Sequence, residues 1–362
     1  MKKIIKYIFF LIVLLIPIGV FAISDTAKST ILMDIDSGRV IYSKNADEQR
    51  LIASITKIMT AVIAIENGNL NDEVTVGEEV LSMYGSNIYI ELGEKILLRD
   101  LLYGLMLRSG NDAAIVIANY VGKNEHDFVK MMNDKAKEIG MKNTIYRNPH
   151  GLDENTKNYS TARDMAILSR YANKLSEYRK ISGTKKWEAQ SDKKSYVWNN
   201  RNKLLYTYKY AKGGKTGYTP SAGRTLVTTA SKNNLNMTVV TLSDSNEYNT
   251  HESLYEYAFN KYNNFLIIDK KNFKIDKSLF KDDIYIKESF SYPLTKAEES
   301  KVKVIIKIAN DKNYKNNDII GKVIVLLDSN EIFETDVFVK KQAKSNITLF
   351  QKLKKLLKNI FK

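Results

Sequence analysis

The sequence predicts a mixed α and β domain over residues 23–265, followed by a small all-β domain over 266–343. Three observations predict this. Hairpin patterns stand at both ends of the first segment, at 30–43 and 224–242. The stretch between them is rich in apolar residues at helical spacing. After Phe265 that spacing stops and alternating runs take over. With 362 residues, the chain is long enough for a catalytic domain with a large core and a second, smaller one.

Taken in order, TILMDIDSGRVIYS at 30–43 alternates and turns at Asp36-Ser37-Gly38, giving a β-hairpin. Residues 54–66 read as a helix ending near Gly68. Residues 98–107 read as another, with Leu98, Leu101, Leu102, Leu105 and Met106 on one face. Helices follow at about 111–121 and 126–139. RTLVTTA at 224–230 and NMTVVTL at 236–242 pair across the polar turn Ser231-Lys232-Asn233-Asn234, and a last helix covers about 250–262. In the second domain KVKVIIKI, IIGKVIVLL and IFETDVFV are alternating strands separated by Asn/Asp-rich turns.

Composition excludes several function classes. Hydrophobic content of 44% and charge of 27% are those of a folded chain. With no cysteine there is no disulfide, thiolate metal site or cysteine nucleophile. His126, His150 and His251 have no metal-ligand spacing, so neither metal nor cofactor is expected. The net charge of +15 draws three charges from Lys2, Lys3 and Lys6 and eight from lysines at 340–362, leaving +4 for the body. A nearly balanced body argues against nucleic acid as a partner.

The ends of the chain carry their own signals. MKKIIKYIFFLIVLLIPIGVFA has a basic start, an apolar run and a small-residue site after Ala22, the pattern of an export signal. The alternative is an uncleaved anchor, but the run is short for a span and Pro17 interrupts it. At the other end, residues 344–362 place Leu349, Phe350, Leu353, Leu356, Leu357, Ile360 and Phe361 at helical spacing, with lysines on the remaining face. That predicts an amphipathic helix lying on an anionic membrane surface.

The chemistry is carried by three short motifs. Ser54-Ile55-Thr56-Lys57 puts a hydroxyl and an amine three residues apart in an apolar helical run. There i and i+3 share a face, and burial depresses a lysine's pKa until it can act as a base. Ser-x-x-Lys occurs five times in the chain, but only Ser54 begins such a run. Alone, it reads more readily as a capped helix start with a snorkelling lysine. Ser109-Gly110-Asn111 then falls in a break between two helices, and Lys215-Thr216-Gly217 stands just before strand-forming sequence. The order Ser-x-x-Lys, Ser-x-Asn, Lys-Thr-Gly is the set used by serine acyl-transferases that react with penicillin.

With these motifs the sequence resembles the low-molecular-mass penicillin-binding proteins, the serine-type D-Ala-D-Ala carboxypeptidases. The likeness extends to IELGE at 90–94, NPHGLD at 148–153, STARDMA at 160–166 and NRNKLL at 200–205. It implies a penicillin-recognising α/β domain: an antiparallel sheet flanked by helices, a helical cluster, and the reactive serine between them. It also implies a peptidoglycan pentapeptide as substrate, β-lactams as inhibitors, and a place outside the cytoplasmic membrane. Carried onto this chain, Ser54 is the nucleophile, Lys57 its base, and Ser109 the relay of a proton to the leaving D-alanine. Asn111 holds the substrate backbone, and Lys215 and Thr216 hold its carboxylate. Gly217 permits close approach, and the amides of Ser54 and Tyr218 form the oxyanion hole.

His150 is expected to order its loop rather than act as a base, and Asp164 to organise the same loop. Trp187 and Trp198 are expected to pack. The family often carries a basic residue before the last helix of this domain, where this chain reads Ser245-Asn246-Glu247-Tyr248-Asn249. Arg224 and Lys212 are the candidates to compensate. A class A β-lactamase is disfavoured, since the chain has no Glu-x-x-Leu-Asn to activate the deacylating water. Endopeptidase action on cross-links, or non-catalytic penicillin binding in the wall, remain the alternatives.

Overall fold

The computed structural model describes residues 23–278, 280–309 and 314–341; the expected export signal and amphipathic tail lie outside them. The chain divides into two compact units, Met1–Asn264 and Phe265–Lys362.

In the first unit, β1 (Ser29–Asp34) and β2 (Val40–Lys44) form the expected N-terminal hairpin. Far along the chain come β3 (Ala211–Thr219), β4 (Gly223–Lys232) and β5 (Leu235–Leu242). They join in one antiparallel sheet of order β2-β1-β5-β4-β3, with β1 paired to β5 from Ser29↔Leu242 to Asp34↔Met237. The β4–β5 turn is tighter than its composition suggests. Ser231 and Lys232 stay in the ladder, and only Asn233 and Asn234 turn, both with positive φ (52° and 62°). That is the two-residue turn asparagine tolerates best.

The helices are α1 (Lys57–Asn67), α2 (Leu98–Tyr103), α3 (Asn111–Gly122), α4 (Glu125–Glu138), α5 (Ala162–Ala172), α6 (Ser176–Gly183) and α7 (Glu247–Lys261). All six residues of β1 are buried because both faces of the sheet are covered. Leu32, Met237 and Val239 pack on Leu254, Tyr255 and Phe259 of α7. Ile31, Met33 and Val240 join the larger cluster built with α1, α3 and α5. Trp187 stacks on Tyr103 with ring centroids 3.7 Å apart, and its Nε1 donates to Asp100 (2.7 Å), so it is a packing residue; Trp198 is buried in the same cluster.

Two helices differ from the sequence reading at the ends nearest the site. Residues Ala53–Thr56 form a 3₁₀ turn, and the α-helix begins only at Lys57. The helix expected at 98–107 is α-helical to Tyr103, then widens into a π turn over Gly104–Arg108. Periodicity does not separate these forms, which differ by a fraction of a residue per turn.

The second unit is all β. Strands β6 (Asn263–Ile268) and β8 (Phe290–Leu294) pair. A four-stranded antiparallel sheet has the order β7-β11-β10-β9, from Asp283–Tyr285, Asn330–Lys340, Ile319–Leu327 and Val302–Ile308 respectively. Its core holds Ile268, Phe290, Val323, Val325, Val337 and Val339. Among the described residues no helix is long and apolar enough to cross a membrane.

Candidate active site

The 3₁₀ turn brings Ser54 onto Lys57. Such a turn has three residues per turn, so i and i+3 eclipse. Lys57 Nζ lies 3.2 Å from Ser54 Oγ, 2.7 Å from Asn111 Oδ1 and 2.5 Å from the His150 carbonyl oxygen. The amine is fully buried in a helix whose first eight residues are all buried. Burial drives its pKa well below the ordinary lysine value, and the charges of Lys215 and Arg201 push the same way; Asp112 opposes them. A neutral amine has two N–H donors and one lone pair. The two short contacts, to Asn111 and His150, take the donors and leave the lone pair for the serine hydroxyl.

The backbone before the serine is strained to make this possible. Ala53 has φ of +48°, a left-handed conformation unfavourable to a residue with a Cβ. Gly151 (φ +88°) packs so tightly here that a Cβ on it would lie 2.0 Å from the Ala53 carbonyl oxygen. The loop carrying Gly151 is pinned by Asn158, whose Nδ2 donates to Thr56 Oγ1 and whose Oδ1 accepts from Arg147 N and Asn148 N. Asn148 Oδ1 in turn accepts from the amides of His150 and Gly151. The loop presents main-chain carbonyls to α1: Pro149 O accepts from Thr60 Oγ1 (2.6 Å) and His150 O from Lys57. The His150 ring accepts from Leu152 N at 3.1 Å, and burial together with the charge of Lys57 pushes its pKa down to about 3. It orders the loop, as expected. Asp164 holds the start of the same connection between α4 and α5: its carboxylate accepts from Asn143 N and Thr144 Oγ1.

The π turn sets the second motif. Gly110 N reaches back to Gly104 O (3.3 Å), and Ser109 closes the turn in the left-handed region, φ +66°. Ser109 is buried, and α3 starts two residues later with Asn111. Asn111 Nδ2 donates to Tyr84 O (2.7 Å) and its N to Ser86 O (2.7 Å), so the asparagine that receives Lys57 is held by the 84–86 segment. Asp112 accepts from the amides of Ile88, Tyr89 and Ala113 and fastens the same segment.

The third motif lies on β3. Lys215 is buried, its Nζ donating to Thr216 O (2.6 Å). Burial and the nearby Arg201 push its pKa down to about 7. Gly217 is needed for a close approach, but to the protein's own backbone: a Cβ there would meet Thr225 Oγ1 at 2.4 Å and the amide nitrogens of Ser54 and Ile55 at 3.0 and 3.1 Å. Thr225 Oγ1 also donates to Ile52 O, tying β4 to the segment before Ser54. Tyr218 is exposed, next to Arg224 in the β3–β4 register.

Ser54, Lys57 and Asn111 are thus in direct contact; Gly217 abuts the Ser54 amide, and Lys215 is close enough to shift Lys57. Arg201 has no role in the sequence reading, although its segment was noted. Its Nη1 donates to Ser86 Oγ (2.8 Å) and its charge acts on both lysines. Nothing in the spacing signals this, because the residues it serves lie far away in the chain. Of the two compensating cations, Lys212 lines a separate cavity of about 350 Å³ with Asp36, Asn173 and Arg179. Arg224 stays beside Tyr218 and pairs with Glu247 (3.4 Å) at the start of α7. Among the described residues no cluster of three or more His, Cys, Asp or Glu side chains could hold a metal ion.

A family profile of D-alanyl-D-alanine carboxypeptidases matches residues 20–246, and one of the penicillin-binding protein 5 C-terminal domain matches 269–345. The chain is 38% identical over 246 residues to the D-alanyl-D-alanine carboxypeptidase DacF of Bacillus subtilis, covering 65% of this chain and 63% of that protein. It is 30% identical over 345 residues to DacA of Haemophilus influenzae, covering 87% and 84%. Penicillin-binding protein 5 of Haemophilus influenzae superposes with a TM-score of 0.74 at 28% identity, covering 90% of this chain and 99% of that one.

Proposed function

This chain belongs to the D-alanyl-D-alanine carboxypeptidase family of serine peptidases, and we propose that it removes the terminal D-alanine of peptidoglycan pentapeptides through an ester on Ser54. The observation that carries this reading is the buried, low-pKa amine of Lys57 at 3.2 Å from Ser54 Oγ. In the proposed sequence neutral Lys57 takes the hydroxyl proton as Oγ attacks the penultimate D-alanine carbonyl. The amides of Ser54 and Tyr218 receive the developing oxyanion. Ser109 passes a proton to the leaving nitrogen, the C–N bond breaks, and D-alanine departs. Water then cleaves the ester and frees Ser54. Asn111 holds the peptide backbone, and Lys215 with Thr216 receives the carboxylate. A β-lactam enters the same path and stops at the ester.

Mass spectrometry of a wall pentapeptide incubated with the protein tests this. A product shortened by one D-alanine is expected, absent in Ser54→Ala. Cleavage only of cross-linked dimers would replace the reading with an endopeptidase, and penicillin labelling without either product would replace it with a binding protein.

The reading includes a place of work: exported, with the signal removed after Ala22, and held at the outer membrane face by the tail. What supports the anchor is composition, eight large apolar residues with five lysines and no acidic residue over 345–362. Burial contributes roughly 0.8 kcal/mol per CH₂ and each lysine about 1 kcal/mol at an anionic surface. Deleting 345–362 is expected to release the protein from anionic vesicles, with D-alanine release unchanged. Undiminished co-sedimentation after the deletion would move the anchor elsewhere.

A further inference from the structure

The cavity that holds Lys212 lies on the same face of the sheet as Ser54, at the other end of β3 and β4. Thr225 and Thr229 alternate onto one face of β4. Thr225 bonds the segment before Ser54, whereas Thr229, four residues and about 13 Å further along, lines the cavity. A bulge sets Lys212 there: Gly213 pairs with Thr229 and Ala211 with Ala230, so Lys212 has no partner in the ladder. Helix α6 packs on the same bulge, where a Cβ on Gly183 would lie 2.4 Å from the Lys212 carbonyl oxygen. That packing brings Arg179, one turn back on α6, to the same cavity.

The lining leaves donors unused. Lys212 is exposed and its amine bonds no acceptor among the described residues; Arg179 uses one donor, Nη1, on Asn173 O (2.5 Å). The one carboxylate in the lining, Asp36, is engaged. Its Oδ2 accepts from Asn236 Nδ2 and its carbonyl oxygen from Arg170 Nη2, both at 2.8 Å. Thr229 is only 6% exposed, yet its hydroxyl bonds nothing among the described residues. A buried hydroxyl without a partner costs free energy, and an oxygen of a ligand would supply one. Two free cations and a free hydroxyl against one engaged carboxylate select an anion. A phosphate has oxygens enough for all three donors, where a carboxylate has two. The basic surface also runs on beyond the cavity: residues 174–212 hold eleven lysines and arginines against three acidic residues. Lys209 and Lys232 stand 4.8 and 4.9 Å from the centre of the Tyr210 ring, and Tyr210 O accepts from Ser231 N in the cavity wall. That surface suits a chain of phosphates rather than a single one.

We propose that this cavity is a binding site for a phosphodiester polymer built on a polyol, one phosphate being received by Arg179, Lys212 and the Thr229 hydroxyl. The Ser231 hydroxyl and the Asn236 amide, in the same wall, face the polyol. The site lies outside the residues that act on Ser54 and does not depend on the carboxypeptidase reading.

The test is calorimetric titration of the full chain with a glycerol phosphate oligomer, and with an oligomer of equal charge that carries carboxylates. The phosphate oligomer should bind the more tightly, and salt should weaken it. Arg179→Gln and Lys212→Gln should each weaken it roughly tenfold. Thr229→Val, which removes the hydroxyl and no charge, should weaken it severalfold, and Thr229→Ser should restore it. Benzylpenicillin should still acylate Ser54 in Thr229→Val and Arg179→Gln at the wild-type rate, which shows that both fold; should Thr229→Val fail to fold, the exposed Arg179 carries the test. Equal affinity for the carboxylate oligomer, or binding that survives Arg179→Gln and Thr229→Val, would overturn the proposal. So would binding shown only by phosphatidylglycerol vesicles and lost in Thr229→Val, which would move the phosphate to a lipid.

Discussion

Two regions of the first unit each bury a lysine, and they surround it differently. At the start of α1, Lys57 is enclosed by the Ser54 hydroxyl, the Asn111 amide oxygen and the His150 carbonyl, all uncharged. On β3, Lys215 bonds its neighbour's carbonyl oxygen and lies beside Arg201. Both amines lose solvation. Burial and the charges of Lys215 and Arg201 push the pKa of Lys57 well down, while burial and Arg201 push that of Lys215 down to about 7. Burial alone does not distinguish the two lysines; the groups each amine touches do.

The largest effect expected from breaking this contrast is at the first region. Lys57→Ala should slow Ser54 acylation by about three orders of magnitude or more, since the hydroxyl loses its proton acceptor. Lys57→Arg should be equally inactive because a guanidinium does not become neutral. Stopped-flow acylation with a fluorescent penicillin measures both, and substantial activity in Lys57→Arg would show that only a positive charge is required there.

The second region should answer differently. With Lys57 as the proposed base, kcat/KM is expected to rise as pH climbs through its depressed value. With Lys215 as the proposed carboxylate-binding cation, kcat/KM is expected to fall as pH climbs through about 7. Lys215→Ala should cost roughly a hundredfold. Lys215→Arg should retain most activity and remove the alkaline limb. A limb that stays near pH 7 in Lys215→Arg belongs to another group.

A smaller loss is expected where the two regions touch. Gly217→Ala puts a methyl 3.0 Å from the Ser54 amide nitrogen and 2.4 Å from Thr225 Oγ1, displacing the strand from the helix start. Overpacking of this kind costs about 1–3 kcal/mol. A lowered Tm with acylation down about tenfold should result, and an unchanged Tm would show that the approach is looser than the geometry states.

The smallest effect sharpens the contrast by elimination. His150 touches Lys57 through its main-chain oxygen, which a substitution keeps. His150→Gln should change acylation by a few-fold and leave both limbs of the pH profile in place. A shifted acid limb would return the imidazole to the chemistry.

Much of the site was legible because its chemistry is local in the chain. Ser54 and Lys57 are three residues apart, as are the ends of Ser109-Gly110-Asn111-Asp112, and a hydroxyl and an amine in an apolar run ask for explanation. Arg201, Asn158 and Tyr84 were silent because each acts on residues remote in sequence. The partner of Asp164 was unreadable for a related reason: a carboxylate in a helix's first turn bonds whichever amide the tertiary path brings to it, here Asn143.

The sequence by itself determined the order of the three motifs, the two hairpins of the sheet, the helices α1 to α4 and α7 and the change to β structure after Phe265, because periodicity and turn chemistry are properties of neighbouring residues; α5 and α6 were not read from it. Only the tertiary structure decided that β1 closes the sheet against β5, that Ser54 stands on a 3₁₀ turn, that Gly217 serves the Ser54 amide, and that Lys57 and Lys215 are both buried with lowered pKa values. Each of these depends on distances between segments far apart in the chain. A pKa follows from the charges and solvent that surround a group, and those are set by the fold.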